Sequence, residues 1–411
     1  MCTSQAGGGG ERVLWMSIIA VQKRYPEARI VVYTLVDEDT FGIKLQGPVG
    51  FVRLVSAYFI EARWYPRLTM LLQAIGMWLM GIECLVKFKP DILIDTEGCA
   101  FAYPVFSTAK VPIVSYVHYP FISSDMMQTV ANQNVSINNS PLVARSGLLT
   151  KVKSVYYGLL SRIYGFCGSQ TSCSMANSEW TLEHLGKVWP KSKCTKVFPP
   201  CDLASMEALD LHNEREPVIF SLSQFRPEKN QIMQIYVMKR LFEIAPEWMG
   251  KVKLVMYGGC RNDQDVKRSE HFNQLAKDLG IESSVEIRVN ISHKDILNML
   301  SRASIGIHTM KEEHFGISIV ELMASGIITV ANNSGGPKSD IIHHNEDGFL
   351  CSTIEEYAQT IKQIISMPES RRLELRTKAR DSAASRFSAN IYEDGFLINL
   401  ETVLTAQLKA A

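Results

Sequence analysis

Short apolar runs alternate along the chain with segments whose hydrophobic residues recur at helical spacing. Runs at 30–36, 91–95, 112–118, 171–176 and 195–198 read as strands in the first half. Those at 218–221, 253–257, 285–289, 305–308 and 327–331 read as strands in the second, with helical patterns between. Strands alternating with helices are the signature of parallel α/β architecture. The turn "FPPCDL" at 198–203 and the polar "LHNEREP" at 211–217 put proline and charge where one set of runs ends. The pattern therefore predicts two doubly wound, Rossmann-like domains, over 1–205 and 215–385. A last helix over 386–411 is expected to pack back on the first domain. In such folds ligands sit at the carboxyl ends of the strands, here expected in a cleft between the domains.

One element does not fit a complete domain. A glycine-rich loop of the type at 7–10 normally leaves a first strand that lies centrally in its sheet. Here "GGGG" begins six residues after the first methionine. The reading is that this strand is missing, through truncation rather than an unusual sheet closure, which leaves the activity of this form open.

Composition narrows the function classes. At 411 residues, 46% hydrophobic and 21% charged, the chain reads as a globular protein of two domains. Its 43 basic and 42 acidic side chains leave a net charge of +1, so no nucleic-acid partner is expected and any electrostatic role must be local. Nine scattered cysteines without a Cys-x-x-Cys pair fit reduced thiols rather than disulfides or zinc. Sequons at Asn134, Asn138, Asn290 and Asn332 are read as unused, and residues 1–10 carry no signal-peptide pattern. The stretch 70–88 has nearly the length of a membrane span but holds Gln73, Glu83 and Lys87. It reads as a buried or interfacial helix.

Candidate chemistry clusters at strand ends. In "GGGGERVLW", Gly8, Gly9 and Gly10 let backbone approach a ligand, and the free amides of the following helix favour an anion. No Gly-Lys-Ser/Thr follows, which excludes a Walker P-loop. "SLSQFRPEKNQ" at 221–231 places Arg226 and Lys229 beyond a strand, where a fork and a point charge can neutralise a diphosphate. "SGGPKSD" at 334–340 is either a ligand loop or a tight turn. In "EHFGISIVE" at 313–321, Glu313 falls in a loop and Gly316 opens the helix that carries Glu321. Amides of Gly316, Ile317 and Ser318 then face an anion, with a carboxylate at each end to grip hydroxyls, which is the shape of a sugar nucleotide. Asp37 and Asp39 in "VDEDT" form an Asp-x-Asp, a pattern that can hold a metal, and are read here as an acidic loop.

These motifs, with "SYVHYPFISSDM", "FPPCD", "YGGCRN" and "IHTMKEEHFGISIVE", resemble the GT-B retaining glycosyltransferases of family 4 over nearly the whole chain. Within that family the likeness is to mannosyltransferases that add α-1,2-linked mannose from GDP-mannose to a dolichol-diphosphate oligosaccharide on the cytosolic face of the endoplasmic reticulum. The resemblance implies that Glu313 holds the donor hexose, Glu321 the ribose, and that Gly258 of "YGGCRN" lies in the donor site. Lys229, helped by Arg226, would stabilise the departing diphosphate. Many relatives place the second basic residue where this chain has Gln224, so the role of Arg226 is the less secure. His118 would contact the reacting mannose. The family transfers with retention and generally without a metal cofactor, and the two glutamates are not the acid and nucleophile of a hydrolase.

Residues 141–200 carry eight basic side chains against two acidic ones, a surface that suits lipid headgroups or acceptor phosphates. With Trp64, Tyr65 and Trp78, the stretch 63–88 suits interfacial anchoring, so peripheral membrane attachment is expected, alongside other mannosyltransferases of the pathway as partners. Two alternatives stay open: a family member with another donor or lipid acceptor, and an inert subunit that keeps the sugar-nucleotide site.

Overall fold

A computed structural model describes residues 9–34, 45–61, 64–65, 67–122, 126 and 147–410. Gly8, Asp37, Asp39, Asn134, Asn138 and Arg145 lie outside them. The chain forms two compact units, residues 1–198 with 392–411, and residues 199–391.

In the first unit, α1 (Gly9–Arg24) leads to β1 (Ile30–Thr34) and β2 (Val49–Arg53), then α2 (Thr69–Lys87), β3 (Leu93–Asp95) and α3 (Tyr103–Thr108). β4 (Ile113–Val117), α4 (Gly147–Gly168), β5 (Cys173–Ala176), α5 (Glu179–Val188) and β6 (Cys194–Lys196) follow. All pairings are parallel, but they form two sheets, β1-β2 and β3-β4-β5-β6. β4 is buried at every residue, as expected of a strand covered on both faces. Among the described residues no strand lies between β1 and β3. The edge strand β2 was not foreseen: "VGFVR" is half-exposed and gives no strong apolar run.

The second unit carries α6 (Ala204–Glu207), β7 (Glu216–Leu222), α7 (Gln231–Ile244), β8 (Lys253–Gly258), α8 (Asp263–Asp278), β9 (Val285–Val289) and α9 (His293–Arg302). It continues with β10 (Ala303–His308), α10 (Ile317–Ala324), β11 (Ile328–Asn332), β12 (Phe349–Cys351), α11 (Ile354–Ser366) and α12 (Glu369–Phe387). Its single parallel sheet runs β12-β11-β10-β7-β8-β9. Strand order reverses at β7, so β7 and β10 are neighbours whose connections leave in opposite directions. A crevice opens at their carboxyl ends, the topological switch point where such folds bind ligands. β12, three residues long, was not foreseen either.

The last helix, α13 (Ala389–Ala410), packs from Tyr392 onward on the first unit. Tyr392, Phe396, Leu400 and Val403 bury against Val13 and Ala20 of α1, Val114 and Tyr116 of β4 and Met175 of β5. Tyr392 Oη lies 2.6 Å from Ser17 Oγ, which itself donates to the Val13 carbonyl at 2.7 Å. That chain of bonds fixes α1, and with it the glycines at its start.

The eight described cysteines are all free, in keeping with the scattered spacing. Replacing Tyr392 with Phe removes one buried hydroxyl bond and leaves Ser17 with an unmet acceptor, a loss of about 1 kcal/mol. Urea unfolding checks it, and no change in midpoint would show that the bond does not hold α1.

Candidate active site

Three side chains meet at the switch point of the second unit. Lys229 follows β7 in a single turn of 3₁₀ helix, Pro227–Lys229, and Asn230 then takes a left-handed conformation (φ 52°) that starts α7. Thr309, just past β10, donates to the carbonyls of Lys229 and Asn230 at 3.2 and 3.0 Å and accepts from Gln234 Nε2 at 3.1 Å. The ends of two adjacent strands are thereby laced together. Lys229 Nζ lies 2.5 Å from Glu313 Oε2, and His308 Nε2 lies 3.2 Å from the same oxygen.

The loop that carries Glu313 is held from behind by backbone. Gly336 N–H donates to the Glu313 carbonyl at 2.7 Å, and Ser334 Oγ accepts from Glu312 N–H at 2.8 Å. A Cβ at Gly335, whose φ is +58°, would stand 2.4 Å from the Glu313 carbonyl oxygen. "SGGP" is therefore a seat for the glutamate loop, and its glycines are needed for that close approach. Gly316, at φ +115°, caps α10, which carries Glu321 half-buried in its second turn. Gly258 ends β8, where a Cβ would stand 2.3 Å from the Ser223 carbonyl oxygen, so the two strand-end turns touch there.

Electrostatics follow from this packing. Glu313 is only 8% exposed. Burial alone would raise its pKa above the ordinary 4.5, but His308, whose Nε2 approaches its Oε2, and the charge of Lys229 outweigh it and hold the carboxyl well below the usual range. Arg226 is half-buried, and burial, then the neighbouring Arg261 charge, lowers its pKa. Its Nε has no hydrogen-bond partner in the structure. A half-buried cation with an unmet donor, its Nη1 3.8 Å from the Glu228 carboxylate, is placed to take a further anion.

In the first unit, His118 directly follows β4, and Gly10 lies in the first turn of α1. A Cβ on Gly10 would stand 3.1 Å from Glu97 Oε1 and 3.7 Å from His118 Nε2, so the helix start, the end of β3 and the end of β4 converge. Burial raises the Glu97 carboxyl to about 7.

Of the residues singled out from sequence, Lys229 and Glu313 are in contact, and Gly10 and His118 are neighbours. Gly9 lies at the helix start, while Ile317 and Ser318 open α10. His308, Thr309 and Glu97 were missed. A lone histidine ending an apolar strand reads as core, and nothing in "IGIHTM" distinguishes it.

Residues 2–189 match the family model described as ALG11 mannosyltransferase N-terminus, and residues 207–383 match glycosyl transferases group 1. The GDP-Man:Man(3)GlcNAc(2)-PP-Dol alpha-1,2-mannosyltransferase of Mus musculus is 43% identical over 97% of this chain and 85% of its own length. The chain belongs to the ALG11 mannosyltransferase family. The protein of the same name from Dictyostelium discoideum is 41% identical over 99% of this chain and 84% of its own. A glycosyltransferase structure from Rickettsia africae superposes with a TM-score of 0.66 at 15% identity, covering 98% of this chain and 96% of that one, which supports the GT-B fold.

Glu313 contributes stability that is complete above about pH 4.5 and is lost as the pH falls, because the unfolded chain binds the proton more readily than the native one. Glu313→Gln removes that titration. The wild type should exceed it by on the order of 2 kcal/mol at pH 7, less than for a fully buried pair because the Lys229 side chain is 20% exposed. The gap should narrow steadily below pH 4.5 in urea melts. A gap independent of pH would contradict the assignment of the pair.

Proposed function

We propose that the protein transfers mannose from GDP-mannose, in α-1,2 linkage and with retention, to a dolichol-diphosphate-linked oligosaccharide, adding its fourth and fifth mannoses. The observation that carries this reading is the Lys229–Glu313 pair at the switch point, in a chain of the ALG11 mannosyltransferase family. Lys229 has three donors and spends one on Glu313, so two remain for diphosphate oxygens. Arg226, with its unmet Nε donor, adds a second cation, and the amides opening α10 a third source of positive potential. Glu313, ionised throughout the physiological range, accepts from hydroxyls of the donor hexose, and Glu321 from those of the ribose.

The chemical step forms a bond from the acceptor 2-oxygen to the anomeric carbon and breaks the bond from that carbon to phosphate oxygen. The hydroxyl proton leaves with the diphosphate on the same face. His118 contacts the reacting mannose. Cations fixed in the fold supply the charge neutralisation that a metal provides elsewhere, so no metal cofactor is required. Activity should persist in chelator, and a loss restored by manganese would overturn this part.

The same reading puts the first unit on the cytosolic face of the endoplasmic reticulum membrane. α2 buries Ala74, Met77, Met80, Gly81 and Cys84 and turns Ile75, Trp78, Leu79, Ile82 and Val86 outward. Its polar groups are used inward: Gln73 donates to the Ile60 carbonyl at 2.6 Å, and Glu83 accepts from Val55 and Ser56 amides at 2.9 and 2.8 Å. α4, joined to it by Tyr156 Oη on the Leu71 amide at 3.0 Å, exposes Val152, Val155, Leu159, Ile163 and Phe166 at helical spacing beside Lys151 and Arg162. Apolar faces flanked by cations suit a helix lying in a headgroup layer. In flotation with vesicles containing anionic lipid, Trp78→Glu with Phe166→Glu should lower the bound fraction at least tenfold. Unchanged flotation would remove these helices from the account.

Transfer itself is tested with radiolabelled GDP-mannose and a trimannosyl lipid-linked acceptor. Lys229→Ala and Glu313→Ala should each slow transfer by about 10²–10³-fold. Equal product from wild type and Glu313→Ala would overturn the assigned role of Glu313. Donor binding without turnover by the wild type would favour an inert sugar-nucleotide-binding subunit.

A further inference from the structure

Lys229 is not the last cation at the carboxyl ends of these strands. Arg226 lies in the turn after β7, and Arg261 in the turn after β8. Backbone laces the two turns together: Ser223 N–H donates to the Tyr257 carbonyl and Phe225 N–H to the Gly259 carbonyl, each at 3.1 Å. The loop after β9 joins them, because Asn290, held at φ 51°, accepts the Cys260 N–H through Oδ1 at 2.9 Å. Arg261 thus leaves a turn that is fixed from both sides.

Its side chain is aimed by a buried carboxylate. Asp265, 2% exposed in the first turn of α8, accepts from Arg261 Nε at 3.0 Å and from the Arg261 N–H at 3.2 Å, both through Oδ2. Its Oδ1 accepts from Arg268 Nη1 at 3.3 Å, and the same Nη1 donates to the Phe225 carbonyl at 3.2 Å. Burial works against the charge of Asp265, but the bonds from Arg261 outweigh it and hold the carboxyl below its usual range. With Nε spent, the two Nη groups of Arg261 make no hydrogen bond or ion pair among the described residues. The guanidinium is fixed at one edge and open at the other.

The three cations form a run. In the sheet β10, β7 and β8 are consecutive, so Glu313 after β10, Lys229 and Arg226 after β7, and Arg261 after β8 follow one another across the strand ends. Arg226 is within reach of both ends: after burial, the Arg261 charge lowers its pKa, while Glu228, Asp265 and Glu313 act the other way. A nucleotide with its hexose at Glu313 and its diphosphate at Lys229 extends its base towards β8. We propose that Arg261 reads that base and selects guanine, its two Nη groups donating to O6 and N7. Asp265 is then a positioning residue. The assignment rests on the donor site proposed above. Guanine presents two adjacent acceptors that match a planar fork, whereas adenine sets the N6 donor beside N7 and uracil has no second acceptor beside O4.

The test measures equilibrium binding of GDP, 7-deaza-GDP, ADP and UDP to the full chain and to Arg261→Ala, Arg261→Lys and Lys229→Ala. The wild type should prefer GDP to each of the others by about tenfold or more, the discrimination of a good bidentate pair. In Arg261→Ala, GDP and 7-deaza-GDP should bind alike, and the margin over ADP and UDP should shrink by about the same factor. Arg261→Lys keeps the charge but not the fork, and should lose the margin too. Equal loss for all four nucleotides would overturn the proposal, since Arg261 would then contact phosphate or only prop the turn. A 7-deaza penalty that survives both substitutions, or that is absent from the wild type, would overturn it as well. If Arg261→Ala does not fold, Arg261→Lys and the wild-type comparison of GDP with 7-deaza-GDP still decide the matter. Lys229→Ala should weaken all four nucleotides alike; no loss there would overturn the donor site and this assignment with it, whereas the other outcomes overturn the fork alone.

Discussion

The second unit is organised around a carboxylate held almost out of water. Glu313 remains ionised there because Lys229 and His308 reach the same oxygen, Oε2. That requirement fixes much of its surroundings. β7 and β10 must be neighbours, since one delivers the lysine and the other the histidine. Thr309 must tie the turn after β7 to the end of β10, or the ammonium would drift from its partner. The loop after β11 must be glycine at 335 and 336, since a side chain there would collide with the glutamate loop's backbone. A charge pair of this sort is weak as a stabilising device, because desolvation offsets most of the attraction. Its use is to keep a cation and an anion side by side at the mouth of the sheet, each with bonding capacity left over.

The first unit is built for a different partner. α1 is pinned by the last helix through Ser17 and Tyr392, which places Gly10 against Glu97 and His118. α2 turns Gln73 and Glu83 to backbone groups, and both α2 and α4 carry apolar side chains on their exposed faces as well as on their buried ones. The proposed lipid-linked acceptor would call on both features, a polar site for sugar at the strand ends and a surface suited to a headgroup layer.

Much of this was legible in the chain, and the reasons differ by element. Buried strands such as "IVSYV" announce themselves, because a sheet covered on both faces admits little but apolar residues. β2 and β12 did not, the first being half-exposed and the second only three residues long. Lys229 and Glu313 were legible because charge beyond an apolar strand has few structural uses. His308 was not, since its role depends on a partner five residues away across a turn, and spacing does not encode which way that turn folds.

Equilibrium binding of GDP and GDP-mannose tests the central assignment most directly, because it separates grip on the diphosphate from grip on the sugar. Lys229→Ala should weaken both ligands to a similar degree. Glu313→Ala should weaken GDP-mannose at least tenfold while leaving GDP nearly unchanged. Equal weakening of the two ligands by Glu313→Ala would contradict the account, since the glutamate would then only be holding the lysine in place.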